Sequence, residues 1–242
     1  VQQVARASSL ICALELIRLN EPNQFGTDEL TIGAWLGAGV TANDRKYAIK
    51  QLEGLIKGYD VNKFLLKKCP WCGCQIGKVI GEKVLGYKVV ETPLGVQRVM
   101  AYCPDPTCEF HEREVVGVGG VPISRGLPIY EIDEDIYSRP PDFLIATIDK
   151  FARLAWKPEA HRLFGLKNGR RVAKPPQLLI QDELHLISGP LGSIDGVFEI
   201  AVEELCKQLE GISPVYVAST ATTKNYEDQI SKLYNRSGRL IP

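Results

Sequence analysis

The sequence predicts an α/β fold: a parallel sheet with helices on both faces, carrying a small β-rich insert. Three observations predict it. Short apolar runs at 31–36, 143–146, 177–181 and 215–218 alternate with helix-like segments, the pattern of buried parallel strands joined by helices. Between 61 and 122 the character changes to short β-prone runs with a cysteine pair at each end. The length, 242 residues, suits one large domain or a domain with an insert.

Each element has a local reason. Val4, Ala7, Leu10, Ile11, Leu14 and Ile17 recur at helical spacing until Asn20 and Pro22 end the pattern, so 1–19 reads as an amphipathic helix. Residues 31–36 read as a strand. Thr41 or Asn43 can cap a second helix with Ala48, Ile49, Leu52, Leu55 and Ile56 on its apolar face and Gly58 at its close. Within the insert, 83–91 and 96–102 read as strands joined by the turn Thr92-Pro93-Leu94-Gly95. The runs 143–146 and 177–181 read as buried strands, each followed by a helix-like segment, and 215–218 as a third. The domain division is therefore 1–60 with 123–242, interrupted by an insert at 61–122.

Composition excludes some functions. With 45% hydrophobic and 24% charged residues and no apolar run near the roughly 18 residues of a membrane helix, membrane spans and disorder are excluded. Twenty-nine basic residues balance 29 acidic ones, so nucleic-acid binding would have to come from local patches. Residues 150–174 hold eight Lys or Arg and one Glu, whereas 182–210 hold seven acids and one Lys; two solvated faces would look the same. Val1 opens the chain and Met100 is its sole methionine, which reads as a fragment. No secretory signal is recognisable, so the expected location is cytoplasmic. There, seven cysteines with two tight pairs point to metal rather than disulfides.

Gln177-Leu-Leu-Ile-Gln-Asp182-Glu183-Leu184-His185 is an apolar strand ending in two acids and a histidine. Ligands of parallel α/β sheets sit beyond the carboxyl ends of strands. In nucleoside triphosphatases a first acid there holds Mg²⁺ and a second orients or deprotonates the attacking water. Strands capped by carboxylates are also common without chemistry, and a lone histidine is more often structural. Two further segments give the motif its context. Val215-Tyr-Val-Ala-Ser219-Thr220-Ala221-Thr222 is a second apolar strand ending in small hydroxyl residues, and Pro141-Asp-Phe-Leu-Ile-Ala-Thr147-Ile-Asp-Lys150 is a strand with a threonine at the following helix start.

In this order the segments resemble a superfamily 2 helicase of the DExH type, covering motif Ia through motif III of a first RecA-like domain. The runs 127–153 and 182–192 further resemble the helicase subunit of the DISARM phage-defence system. The resemblance implies Mg²⁺ and water roles for Asp182 and Glu183, and nucleotide coupling through His185 and Ser219, Thr220, Ala221 and Thr222. It implies nucleic-acid contacts by Gln3, Arg6, Thr147 and Lys150, within segments 1–9, 37–45 and 147–174. ATP with Mg²⁺ would be the cofactor. The partners would be nucleic acid, DNA rather than RNA, a second RecA-like domain of the parent chain and defence-system proteins, with no membrane. The nearest string to a phosphate-binding loop, Gly73-Cys74-Gln75-Ile76-Gly77-Lys78-Val79, is one residue short and lacks the hydroxyl. ATP hydrolysis is therefore expected of the parent protein and not of the fragment.

Cys69-Pro-Trp-Cys72 and Cys103-Pro-Asp-Pro-Thr-Cys108 form two short loops able to present four thiolates to a structural Zn²⁺. Cys74 and His111 are possible substitute ligands, and Cys12 and Cys206 fall on apolar helix faces. Trp71 could stack on a base or shield the sulfurs. The alternative to the motor is a non-enzymatic zinc-ribbon module that docks nucleic acid or protein on an α/β scaffold. A metalloprotease is excluded, since no H-E-x-x-H occurs and His111, His161 and His185 are dispersed. His161, amid Lys and Arg, reads as a solvated helix residue.

Overall fold

The computed structural model describes residues 2–37, 39–116, 120, 122–186, 189–207, 213–221 and 226–241, with backbone only at 186 and 189–197. The chain divides into two compact units, 1–150 and 151–242.

The first unit runs α1 (Gln2–Asn20), α2 (Pro22–Phe25), β1 (Ile32–Trp35), α3 (Arg45–Ile56), β2 (Val79–Ile80), β3 (Lys83–Val84), β4 (Tyr87–Glu91), β5 (Gln97–Ala101), β6 (Arg113–Val116), β7 (Pro122–Arg125), β8 (Ile129–Tyr130), α4 (Asp133–Ser138) and β9 (Phe143–Ala146), with α5 (Ile148–Phe151) at its end. Strands β8, β1 and β9 form a parallel sheet in that order, pairing Ile32 with both Ile129 and Phe143. All four residues of central β1 are buried, as a strand flanked on both edges and covered on both faces requires. The Thr31 backbone N–H and hydroxyl both donate to Asp142 Oδ2, which fixes the start of the β1–β9 ladder. A Cβ on Gly33 would lie 2.7 Å from Pro141 Cγ, so glycine permits that packing. The antiparallel pairs β2–β3, β4–β5 and β6–β7 lie between α3 and β8, with β7 continuing past residue 122, the expected end of the insert, to Arg125.

Two local readings are corrected. Asp44, not Thr41 or Asn43, caps α3 by accepting from the Tyr47 backbone N–H at 2.7 Å; Thr41 Oγ1 instead donates to Leu36 O, and Asn43 Oδ1 accepts from Lys150. On α1 the buried stripe is Val4, Ser8, Ile11, Cys12, Glu15 and Arg18, while Leu10, Leu14 and Ile17 are exposed. Glu15 and Arg18 can occupy that stripe because they satisfy one another. Arg18 donates twice to the Glu15 carboxylate at 2.7 Å and once to Gly26 O, and Glu15 also accepts from Leu30 N.

The second unit contains the 3-10 helices Ala152–Ala155 and Pro158–Phe164, β10 (Leu166–Lys167), β11 (Arg170–Arg171), β12 (Leu178–Gln181), a 3-10 turn Leu184–Leu186, α6 (Gly189–Cys206), β13 (Val215–Ala218) and α7 (Tyr226–Tyr234). Strands β12 and β13 pair in parallel, Leu178 with Val215 through Gln181 with Ala218. The parallel strands thus fall into a three-stranded and a two-stranded sheet. Apolar runs predict buried strands here, yet Leu178, Ile180, Val215 and Val217 are exposed. Among the described residues each of these two strands has only the other as neighbour; the four exposed residues share one face, while on the other Leu179 and Tyr216 are half-buried, Tyr216 against Tyr234 of α7.

Candidate functional site

Two clusters of reactive side chains emerge, one in each unit. In the first unit the ligand atoms of Cys69, Cys72, Cys103 and Cys108 all lie within 4.8 Å of one another. Cys69 and Cys108 sulfurs are 4.0 Å apart and those of Cys72 and Cys103 are 3.4 Å apart. Four sulfurs around Zn²⁺ at about 2.3 Å would be roughly 3.8 Å apart, so the donor set fits. Each pair sits on a tight backbone turn: Cys69 N donates to Cys74 O and Gly73 N to Cys69 O, while Cys103 N donates to Phe110 O and Cys108 N to Asp105 O. Burial raises the Cys103 thiol and pushes Cys108 up to about 11. Burial also works to raise Cys72, but the hydrogen bonds from the Cys74 backbone and the neighbouring thiols outweigh it, and that thiol is lowered.

The cluster is braced by the surrounding fold. Cys12 of α1 is fully buried in the core that holds Cys69 and Cys103 together with Ile32 of β1, Leu52 of α3 and Tyr87 of β4. Ser9 Oγ donates to Pro70 O at 2.8 Å, between the first two ligands. A buried carboxylate that sequence reasoning missed ties the insert to the parallel sheet: Glu131, just after β8, accepts from the Tyr87 hydroxyl at 2.9 Å and from Leu65 N. Burial raises its pKa. Of the possible substitute ligands, His111 Nδ1 lies 2.8 Å from Cys103 O, and Cys74 is outside the four-sulfur group.

In the second unit, β12 and β13 deliver Asp182 and Ser219 from neighbouring carboxyl ends. Ser219 N donates to Gln181 O, Leu184 N donates to Ser219 O at 2.8 Å, and Ser219 Oγ donates to Asp182 Oδ1. Glu183 N also donates to Asp182 Oδ1, at 3.0 Å. Glu183 adopts a left-handed backbone, φ 55°, uncommon for a side chain of its size and a conformation that costs energy. His185 Nδ1 lies 3.3 Å from Ala221 N and 3.4 Å from Glu183 Oε2. These contacts exclude each other: neutral Nδ1 accepts from Ala221, whereas a protonated Nδ1–H would donate to Glu183. Asp182, Glu183 and Ser219 are exposed and Thr220 is half-buried. Thr222 lies outside the described residues.

The remaining predicted contacts divide. Gln3 and Arg6 are exposed on α1, and Thr147 is exposed between β9 and α5. Lys150 is instead 1% exposed, donating to both Asp133 carboxylate oxygens at 2.7 and 2.9 Å. Its ammonium faces the interior rather than a solvent track. A cavity of about 80 Å³ opens beyond β1 and β8, lined by Gly39, Thr41, Lys63 and Glu131 among others, small beside the roughly 300–1,000 Å³ of ligand pockets. Among the described residues no helix is long and apolar enough to cross a membrane.

No family model matches the chain. It is similar to the DISARM protein DrmA of Bacillus paralicheniformis (strain ATCC 9945a / NCIMB 11709 / CD-2), with 32% identity over 274 aligned residues covering 97% of this chain. The chain spans 22% of the length of that relative.

Proposed function

We propose that the chain is part of an ATP-dependent nucleic-acid helicase or translocase serving phage defence, a partial first RecA-like domain from motif Ia to motif III. The reading rests on the convergence of Asp182, Glu183 and His185 with Ser219 and Ala221, two segments joined at the carboxyl ends of paired parallel strands. Similarity to a DISARM protein supports the defence context.

Exposed carboxylates are suitable ligands for a hard cation such as Mg²⁺, which would neutralise charge on the transferring phosphate of ATP. In this reading Asp182 holds the cation and Ser219 keeps its carboxylate turned to the strand ends. Glu183 orients and deprotonates the attacking water. His185 couples that acid to the Ser219–Thr222 segment by exchanging partners, its Nδ1 accepting from Ala221 N when neutral and donating to Glu183 when protonated. Gln3, Arg6 and Thr147 contact nucleic-acid phosphates, DNA rather than RNA, positioning the strand without reading bases. The cysteine cluster holds a structural Zn²⁺, and the insert and α/β segments keep the boundaries 61–122, 1–60 and 123–242.

Glu183→Gln is the test, made in a protein extended to the length of its relative. Removing the base while keeping the Asp182 ligand should lower ATP turnover at least 100-fold, with ATP affinity within about threefold. Wild-type turnover in the variant would reject the role. No turnover in the extended wild-type protein would favour a zinc-bearing docking module.

A further inference from the structure

The basic stretch after the first unit has a structure of its own. From 151 to 181 the chain carries seven Lys or Arg and a single acid, Glu159. The two 3-10 helices pack on each other, and the second packs on β10. Strands β10 and β11 form a two-residue hairpin through Asn168 and Gly169, both with positive φ, 50° and 74°, as the tightest hairpin turn demands. Its base is anchored: Arg171 donates to Phe164 O and to the Leu205 and Lys207 carbonyls closing α6. Its tip pairs Lys167 directly with Arg170 across the strands.

Like charges directly opposite each other destabilise a strand pair, so the tip carries a cost that a bound anion would remove. Among the described residues no carboxylate pairs with Lys157, Lys167, Arg170 or Lys174, and all four are exposed. Beside Lys157 stands Trp156, the cap of the first 3-10 helix, with 67% of its surface exposed. A large solvent-facing indole beside Lys157 offers a stacking surface for a base, and the exposed cations of this stretch offer charges for phosphates.

We propose that Trp156 and the Lys167–Arg170 hairpin bind single-stranded nucleic acid, the hairpin holding phosphates and the indole stacking on an unpaired base. A duplex keeps its bases stacked inside and would leave the indole unused. The inference deepens the nucleic-acid part of the proposed function and rests on it only there, since binding at this surface needs no ATP turnover.

The test is binding of a 5′-labelled oligothymidylate to the full-length protein by fluorescence anisotropy across a salt series, with nucleotide absent. Lys167→Ala with Arg170→Ala removes two phosphate contacts and should flatten the slope of log K against log salt by about 1.4, at about 0.7 per contact for single strands. Trp156→Ala should weaken binding about 5- to 150-fold, the range for one stacked base, and leave the slope unchanged. All three substitutions relieve or spare the fold, so melting temperatures should not fall; the double variant's should rise if the tip repulsion is real. Wild-type affinity and slope in both variants would overturn the proposal. So would loss of polyglutamate binding with oligothymidylate binding intact, which would assign the surface to an acidic protein. Oligothymidylate binding that persists in Glu183→Gln separates this surface from the hydrolysis site, so failure of one reading is visible apart from the other.

Discussion

The cysteine cluster and the carboxylate–histidine site each gather side chains from two segments more than 30 residues apart, 31 and 39 for the sulfur pairs and 37 for Ser219 and Asp182. The first buries two of its four donors: Cys69 and Cys103 lie in a core shared with Cys12, Tyr87 and Leu52, while Cys108 is half-buried and Cys72 exposed. The second leaves its acids in solvent on a two-stranded sheet that exposes one apolar face, Leu178, Ile180, Val215 and Val217. Closed thiolate sites suit structural metal, and an open site keeps room for a reactant. On the proposed function, that difference in burial is the one expected between a site that holds the fold and one that works on something brought to it.

The strongest way to break the comparison is to remove Cys69 or Cys103 from the four-sulfur group proposed to hold zinc. Structural zinc contributes on the order of 10 kcal/mol to folding of small metal domains. Cys69→Ser should reduce zinc from one ion per chain to none, and amide exchange in α1 and β1 should accelerate with it because they share the core. Protection retained in α1 after metal loss would mean that the insert folds as a separate lobe. The Glu183→Gln protein should keep its zinc.

Next in size is the buried pair of Lys150 and Asp133, each 1% exposed. Lys150→Met strands a buried carboxylate and should destabilise the first unit by about 3–5 kcal/mol, read as a fall in the denaturant midpoint. A variant of unchanged stability whose oligonucleotide salt slope drops by about 0.7 would restore Lys150 to the nucleic-acid track.

These two sites also mark how far the sequence could be read. The cysteine loops were legible because spacing alone constrains four ligands on two turns. Strands at 143–146 and 215–218 were legible because short apolar runs bounded by turn residues have few other uses, and the structure keeps both ranges. Lys150 looked like a phosphate contact because its partner, Asp133, is 17 residues away, beyond the reach of any local pattern. Glu131 was missed for the same reason: Tyr87, 44 residues distant, satisfies it. The α1 stripe was misread because hydropathy counts Glu15 and Arg18 as surface residues, whereas their bidentate pairing allows burial. The convergence of Asp182 with Ser219 followed from strand order, but the left-handed backbone at Glu183 left no mark in the sequence, since the usual residue for it is glycine.

That backbone gives the smallest and sharpest prediction. A left-handed conformation costs a non-glycine residue about 1–2 kcal/mol, part of which glycine returns through its greater freedom in the unfolded chain. Glu183→Gly should therefore stabilise the β12–β13 region by about 0.5–1 kcal/mol, measured as slower exchange of the Leu179 and Ile180 amides, while ATP turnover is lost as in Glu183→Gln. Gain of stability with loss of turnover would mean that an acid is kept at a strained position for chemistry. Should the glycine variant be no more stable than Glu183→Gln, the conformation carries no strain, and the open site would differ from the closed one in exposure alone.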